Sequence, residues 1–428
     1  MADTRPDLDA VAAVIATNLV APAGVVFLDW SIAVLVGVYV AELVAVVGWS
    51  LVKIPFAAKR PRGRVEQSRV NGLLHRLRGS IPLPGPVPAI YPRNLPPLFG
   101  GLFIAPIGIV LALALFGGVA ADGVADNEGA TIVLGALIVF LLRGGETVLE
   151  YFIHGGYRDH SPRSAFAPPF MSMIGVMGLL ATALAIDAAE VGTGPSEAVL
   201  MLLVGGKLLL DLQGLRIEAD EDRHGLLARM FGSTDTAVDP EPVEEPDCEP
   251  PVVQRPPRAA ALADAIARGL AYALASGATV FVLSVALVVG LAAGLWGGVA
   301  VAVLVLVPSV FVRGLARYLT YGAVEYRCYD GLVVVHSTLL GEGQRRLRRG
   351  AVDGVETDRD PVDRLFGTET LDLDAEGPDT TPEFGLPDPD EADVDDANED
   401  RPVTAAHVRD ADAIVDALGV RWIAERDR

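Results

Sequence analysis

The chain has 428 residues, 51% of them apolar, and a formal net charge of −21. Acids outnumber Lys and Arg by 55 to 34, which argues against a nucleic-acid binder, because phosphate neutralisation requires clustered cations. A soluble chain of this length would divide into two or three domains with amphipathic periodicity, but here the apolar residues collect in long runs such as 131–142, 278–295 and 299–312.

A hydrocarbon core about 30 Å thick needs roughly 20 apolar residues to cross it. Backbone groups have no water partners there, so such runs must be helices. Taken in order, the runs predict eight spans at roughly 10–28, 31–52, 98–120, 130–153, 166–186, 198–216, 272–293 and 296–315. Their many Gly and Ala residues suit close helix packing in lipid.

The loops between these spans alternate in charge. Segments 29–30, 121–129, 187–197 and 294–295 hold no Lys or Arg, and carry acids such as Asp29, Asp122, Asp126 and Glu190. Segment 53–93 holds nine Lys and Arg residues, 154–165 holds Arg158 and Arg163, and Arg313 and Arg317 close the last span. Positive loops stay inside, so a multi-pass protein of the cell membrane with both termini in the cytoplasm is expected. The N-terminus carries acids rather than a basic region, which argues against a cleaved signal peptide.

Residues 217–257 carry eleven acids and three Arg, and 375–400 carry eleven acids and no base. The first stretch, with its Pro-rich runs, reads as a disordered acidic linker over 219–262, between a six-helix domain (1–218) and a helix hairpin (263–318). Pro82, Pro84, Pro86, Pro88 and Pro92 hold 79–97 extended, and Leu73–Leu77 before them suggests a short surface helix. The Asp-rich, Lys-poor composition, with only Lys53, Lys59 and Lys207 against 31 Arg, resembles that of archaeal extreme halophiles; the alternative is two acidic disordered segments in an ordinary organism. Cys248 and Cys328 are isolated and form neither a metal spacing nor a disulfide framework.

Beyond Arg317 the pattern becomes strands. Val324–Tyr329 and Leu332–His336 flank an Asp330-Gly331 hairpin signal, and Arg345–Arg348, Val352–Thr357 and Thr368–Asp374 follow. The acidic run reads as a disordered insertion, 375–402. Ala411, Ile414, Val415 and Leu418 then recur at helical spacing, with Gly419 as the stop. The fold class expected is therefore a membrane all-α protein carrying a small β-rich cytoplasmic domain over 319–428.

That domain resembles the bacterial-type pleckstrin-homology (PH) domains found beside membrane helices. The resemblance rests on Glu325 to Val334, Arg345-Arg346-Leu347-Arg348, Val352-Asp353-Gly354-Val355 and Pro361 to Thr368. It implies a bent seven-stranded sandwich capped by one helix, without enzymatic activity. The first six spans are similar to a membrane-protein family of unknown function, through Asn18, Tyr39-Val40-Ala41-Glu42 and Lys207 to Leu212. Val40 stands there for a Trp of that family's pattern, and Arg143 lies near the place of an intramembrane His. This likeness brings no activity with it.

Charges at membrane depth are costly and face partners or cavities. The candidates are Glu42, Arg143, Glu146, Glu150, Lys207 and Asp211. Glu146, Glu150 and His154 recur every four residues, close to one stripe of an α-helix. Three readings compete: a structural ion-pair network, which is favoured; a polar pathway for ions, protons or a small solute; and a metal-dependent hydrolase site, which is disfavoured. Arg345, Arg346, Arg348 and Arg349 are candidates for lipid headgroups, weighed against a solvated strand paired with the domain's own acids. No catalytic residue, cofactor or metal is expected. The expected partners are the bilayer and, through the PH-like domain, a protein or a second copy.

Overall fold

The computed structural model describes residues 24, 27, 30–61, 74–119, 128–189, 203–209, 212, 237–238, 240–275, 277–375 and 400–426. The chain forms two compact units. One comprises 1–63, 84–88 and 96–239, and the other 64–83, 89–95 and 240–428.

The first unit is helical: α1 (Ile32–Lys53), α2 (Leu95–Val119), α3 (Glu128–Glu146) and α4 (Pro162–Ala189), with a short pair of strands, β1 (Arg60–Pro61) and β2 (Ala237–Val238). Ser31 caps α1 by accepting from the Val34 amide at 3.2 Å. α1 is the centre of the unit. Leu35, Tyr39, Leu43 and Val47 are buried with Ala105, Met173, Val176 and Leu203. Small residues set the spacing: a Cβ on Gly144 would meet the Trp49 ring at 2.5 Å, and one on Gly37 would meet Ile132 at 3.0 Å. Outward faces stay apolar and uncovered, as at Val133, Leu141 and Leu142.

The second unit opens with β3 (Val252–Gln254) and three helices: α5 (Arg258–Ala275), α6 (Gly277–Ala293) and α7 (Leu295–Arg317). Then come β4 (Val324–Tyr329), β5 (Leu332–Ser337), β6 (Gly343–Arg348), β7 (Val352–Asp358), α8 (Pro361–Phe366), β8 (Glu369–Ala375), β9 (Val403–Val408), α9 (Ala411–Leu418) and α10 (Arg421–Arg426). The strands make two antiparallel sheets, β3-β4-β5-β6 and β7-β8-β9. Between them lies a core of Tyr326, Cys328, Val333, Leu347, Leu371 and Leu373, covered by Ile414, Val415 and Leu418 of α9. Gly331 turns the β4–β5 hairpin at φ +71°, and Gly419 ends α9 at φ +68°, a left-handed conformation that glycine adopts without steric penalty.

Four helices among the described residues are long and apolar enough to cross a membrane: Ala33–Phe56, Pro92–Gly118, Glu128–Ile153 and Leu295–Gly322. They coincide with the second, third, fourth and eighth expected spans. α6 coincides with the seventh, but its 17 residues extend only about 26 Å at 1.5 Å per residue. The first and sixth spans lie largely outside the described residues.

The acidic linker is where the structure departs most from expectation. Residues 240–262 are built into the second unit, because they find partners there. β3 pairs with β4 from Val252 opposite Cys328 to Gln254 opposite Tyr326. Val243 is buried beside Tyr329 and Val334, and Glu245 holds Arg327 and His336 at 2.5 and 2.7 Å. The seven strands implied by the PH resemblance are reached with this borrowed strand. The stem helix begins at Arg258 rather than 263. Leu74 and Leu77, expected on a surface helix, are buried under Ala316, Leu319 and Leu340. Arg78 fixes that segment to β6 by exchanging hydrogen bonds of 2.9 Å with the Gln344 side chain. The acidic insertion, apart from Ala375 at the end of β8 and 400–402, lies outside the described residues.

Candidate functional site

Two charged clusters stand out, one in each unit. In the first, Glu42 of α1 accepts an ion pair on each carboxylate oxygen, from Arg143 at 2.9 Å and from Lys207 at 3.0 Å. Arg143 also holds Glu146 at 3.1 Å. Lys207 is nearly fully buried, and its ammonium lies 5.3 Å from the centroid of the Tyr39 ring. One acid thus joins three segments that are far apart in sequence. The helical stripe of Glu146, Glu150 and His154 does not hold. The backbone turns π-helical over Thr147–Ile153, and His154 bonds back five residues to the Leu149 carbonyl. The wider turn rotates the later side chains away. Glu150 and His154 are exposed and make no ion pair among the described residues. Asp211 lies outside the described residues.

The second cluster is assembled from four segments of the second unit. α5 turns a face of small residues, Ala261, Ala265 and Gly269, onto α7, and a Cβ on Gly269 would lie 3.1 Å from the Gly314 backbone. Asp264 is the charged residue on that face. Its two oxygens take Arg268, one helical turn on, and Arg317 of α7, each at 2.7 Å. Arg268 reaches on to Asp360 at 2.9 Å. Asp360 caps α8 through the Asp363 amide, with Pro361 at the first helical position. Asp363 is fully buried and accepts from the Thr368 and Thr370 hydroxyls at 2.6 and 2.9 Å.

His407 joins the two halves. The β8–β9 register slips between Glu369 and Leu371, so β9 carries an extra residue and bulges, which re-aims a side chain. His407 sits there at φ +56°, buried, with Nδ1 2.7 Å from Asp363 and Nε2 3.6 Å from Asp264. Nε2 makes no hydrogen bond. Burial alone would lower the imidazole pKa, but contacts with Asp264 and Asp363 outweigh it and raise it. Burial likewise pushes both carboxyls up, but the nearby His407 and a hydrogen bond from Arg317 at Asp264, and hydrogen bonds from Thr368 and His407 at Asp363, hold both below the usual range. Charge counting agrees. Asp264, Asp360 and Asp363 face Arg268 and Arg317, so a protonated His407 makes the cluster neutral.

Asp360, Asp363 and His407 place donor atoms within 4.8 Å of one another, as a metal site would. Their lone pairs are already engaged by Arg268, two threonines and a backbone amide. The arrangement fits a closed ion-pair lock better than a metal centre. One local sign of it is visible in the sequence, the Asp360-Pro361 helix start; the other members are separated by up to 143 residues.

The arginines of β6 and its end are engaged within the second unit. Arg346 pairs with Glu244 at 3.1 Å, Arg348 with Asp400 at 2.8 Å, and Arg345 reaches the Pro402 carbonyl. The Arg349 guanidinium lies against Gly419.

Family comparison agrees with this division. Residues 1–225, more than half the chain, match the model of a family of unknown function, DUF6498. The chain belongs to that family. Residues 274–416 match the bacterial PH domain, so a PH-like domain follows the helical region. No curated protein and no solved structure matches the chain significantly.

Proposed function

We propose that the protein is a non-enzymatic, multi-pass scaffold of the cell membrane. In this reading the PH-like domain is held on its helical stem and serves as an interaction or self-association module in envelope maintenance. The observation carrying it is the Asp264 cluster: α5, α7, α8 and β9 meet in one buried lock, which suits a fixed platform better than a tethered, freely swinging domain. Eight spans with both termini in the cytoplasm complete the proposal, on the strength of the loop charges. A reporter after Asp126 should then read outside and one after Arg428 inside.

Transport is the second reading. Mutual pairing of Glu42, Arg143 and Lys207 supports a structural role for these charges, since a solute path needs groups free to exchange partners. The pairing of Arg346 and Arg348 with acids likewise favours a solvated strand over headgroup docking by that cluster. The test is cross-linking of the full chain in its native membrane. A discrete oligomer or a defined hetero-complex, formed through the PH-like domain, is expected; monomer alone would refute the module reading. In reconstituted vesicles, solute flux that is lost in Lys207→Ala would establish transport instead.

A further inference from the structure

We propose that the end of α8, Leu365-Phe366 with Arg359 and Arg364, is a wedge seated in the headgroup layer of the membrane that α7 crosses. The inference rests on the membrane reading above and adds a contact surface to it.

The argument is one of depth. α7 is uncharged from Leu295 to Val312, and Arg313 follows. Eighteen residues at 1.5 Å each reach about 27 Å, close to the roughly 30 Å hydrocarbon thickness. Arg313 therefore marks the inner boundary. Its guanidinium stacks on Tyr272 and donates to the Tyr272 carbonyl at 2.8 Å, a pairing of cation and amphipathic ring that suits the interface. Gly269 abuts Gly314, so the neighbouring Arg268 lies at the same level. Asp360 is bonded to Arg268 at 2.9 Å. The start of α8 is thereby pinned at the membrane boundary, and a six-residue helix spans only about 9 Å.

At that depth the chain exposes large apolar groups. Leu365 is 77% exposed and Phe366 is 36% exposed. On α5, Leu262 and Ile266 are also more than half exposed, within about two turns of Arg268. Solvated apolar groups of this size are costly, whereas a headgroup layer accepts them. Cations flank them. Arg359 shares Glu369 at 3.0 Å but is two-thirds exposed, and Arg364 donates to the Arg359 carbonyl without a carboxylate partner among the described residues. An open pocket of about 280 Å³ is lined by Arg359, Asp363, Arg364, Gly367 and Thr368; the Asp363 carboxylate is turned to Thr368, Thr370 and His407, which leaves the two arginines to meet an anionic headgroup. The apolar part of this contact is insensitive to salt and persists where screening would abolish a purely electrostatic one.

The test uses the full chain, Cys248→Ser, reconstituted in phosphatidylcholine vesicles with phosphatidylglycerol. Spin labels are placed singly at Leu365→Cys, at Val303→Cys in mid-α7 and at Asp330→Cys on the β4–β5 turn. The label at 365 should collide more with oxygen and less with a water-soluble nickel chelate than the label at 330, with a ratio between those at 303 and 330, and should remain so in molar salt. Nickel access at 365 equal to that at 330, with 303 still shielded, would overturn the wedge and leave the membrane reading intact. Shielding of 365 from both reagents would also overturn it, since a protein or a second copy would then cover the site. Free nickel access at 303 would remove the membrane reading, and the wedge with it.

Discussion

Replacing Asp264 by Asn tests the lock at its centre. The side chain keeps its shape and an acceptor oxygen but loses its charge. Asp264 is 2% exposed at its side chain and faces Arg317, Arg268 and His407. Removing one partner from a buried ion pair costs about 3–5 kcal/mol. Arg268 is more than half exposed and keeps Asp360, so its share is discounted for screening. Arg317 keeps its stacking on Tyr321 at 3.9 Å, which further moderates the loss. About 3 kcal/mol remains, equivalent to a roughly 100-fold rise in the population of the opened lock. Hydrogen exchange of the full chain in detergent micelles would read this at the β9 and α8 amides, which should exchange faster by that factor. The exchange of α1 is the internal control and should not change. Equal protection of β9 in the variant and the parent protein would refute the lock, because the amides it shields would then owe nothing to Asp264.

The same cluster sets a pH profile for the second unit. His407 has a raised pKa, so its contribution is complete below the ordinary imidazole value of about 6.5 and lost as pH rises through the raised one. Asp264 and Asp363 are depressed, so theirs is complete above about 3.9 and lost as pH falls through their lowered values. Thermal melts should therefore be highest between about pH 4 and 6.5, and His407→Gln should flatten the alkaline limb alone; an unchanged alkaline limb would count against a protonated imidazole. In the first unit, Glu42→Gln takes the shared carboxylate away from Lys207 and Arg143 and should destabilise by several kcal/mol, with partial rescue by Lys207→Met; additive losses in the double variant would show the pair to be uncoupled. Maleimide should label Cys248, which is exposed, and spare Cys328, which is buried with its thiol pushed up to about 12; labelling of both without denaturant would contradict the packing of β4. Gly298→Leu should separate α6 from α7, since even a Cβ there meets the Ala286 carbonyl at 2.5 Å; an undiminished melting temperature would refute that contact.

Elements that depend on local pattern were legible in the sequence, and those that depend on remote partners were not. β4 begins and ends where its alternation does, and α9 stops at Gly419 because a left-handed residue there needs no help from the rest of the fold. β3 lacked such a signature. Val252-Val253-Gln254 lies between prolines in an acidic stretch, and only the open edge of β4 makes it a strand. The π-helical turn at Thr147 leaves no mark in apolar periodicity, so the stripe of Glu146, Glu150 and His154 looked continuous. Glu42, Arg143 and Lys207 were readable as costly charges, but which would meet was not, because the pairing is set by helix packing.

The two clusters differ in a way that bears on their roles. Glu42 shares two cations with one further acid, Glu146, which is half exposed, so among the described residues the cluster balances in charge without a histidine. Its pairs run between helices, as befits a brace among them. The Asp264 cluster balances only with a proton on His407, and its members come from the stem and from α8 and β9 of the PH-like domain. Losing that proton would leave one uncompensated buried charge at the joint, and the domain would loosen from its stem before its own core melted, since Tyr326, Leu347 and Leu371 take no part in the cluster. If the joint and the core instead melted together across the alkaline limb, the lock would be integral to the fold of the domain rather than a separate joint to its stem.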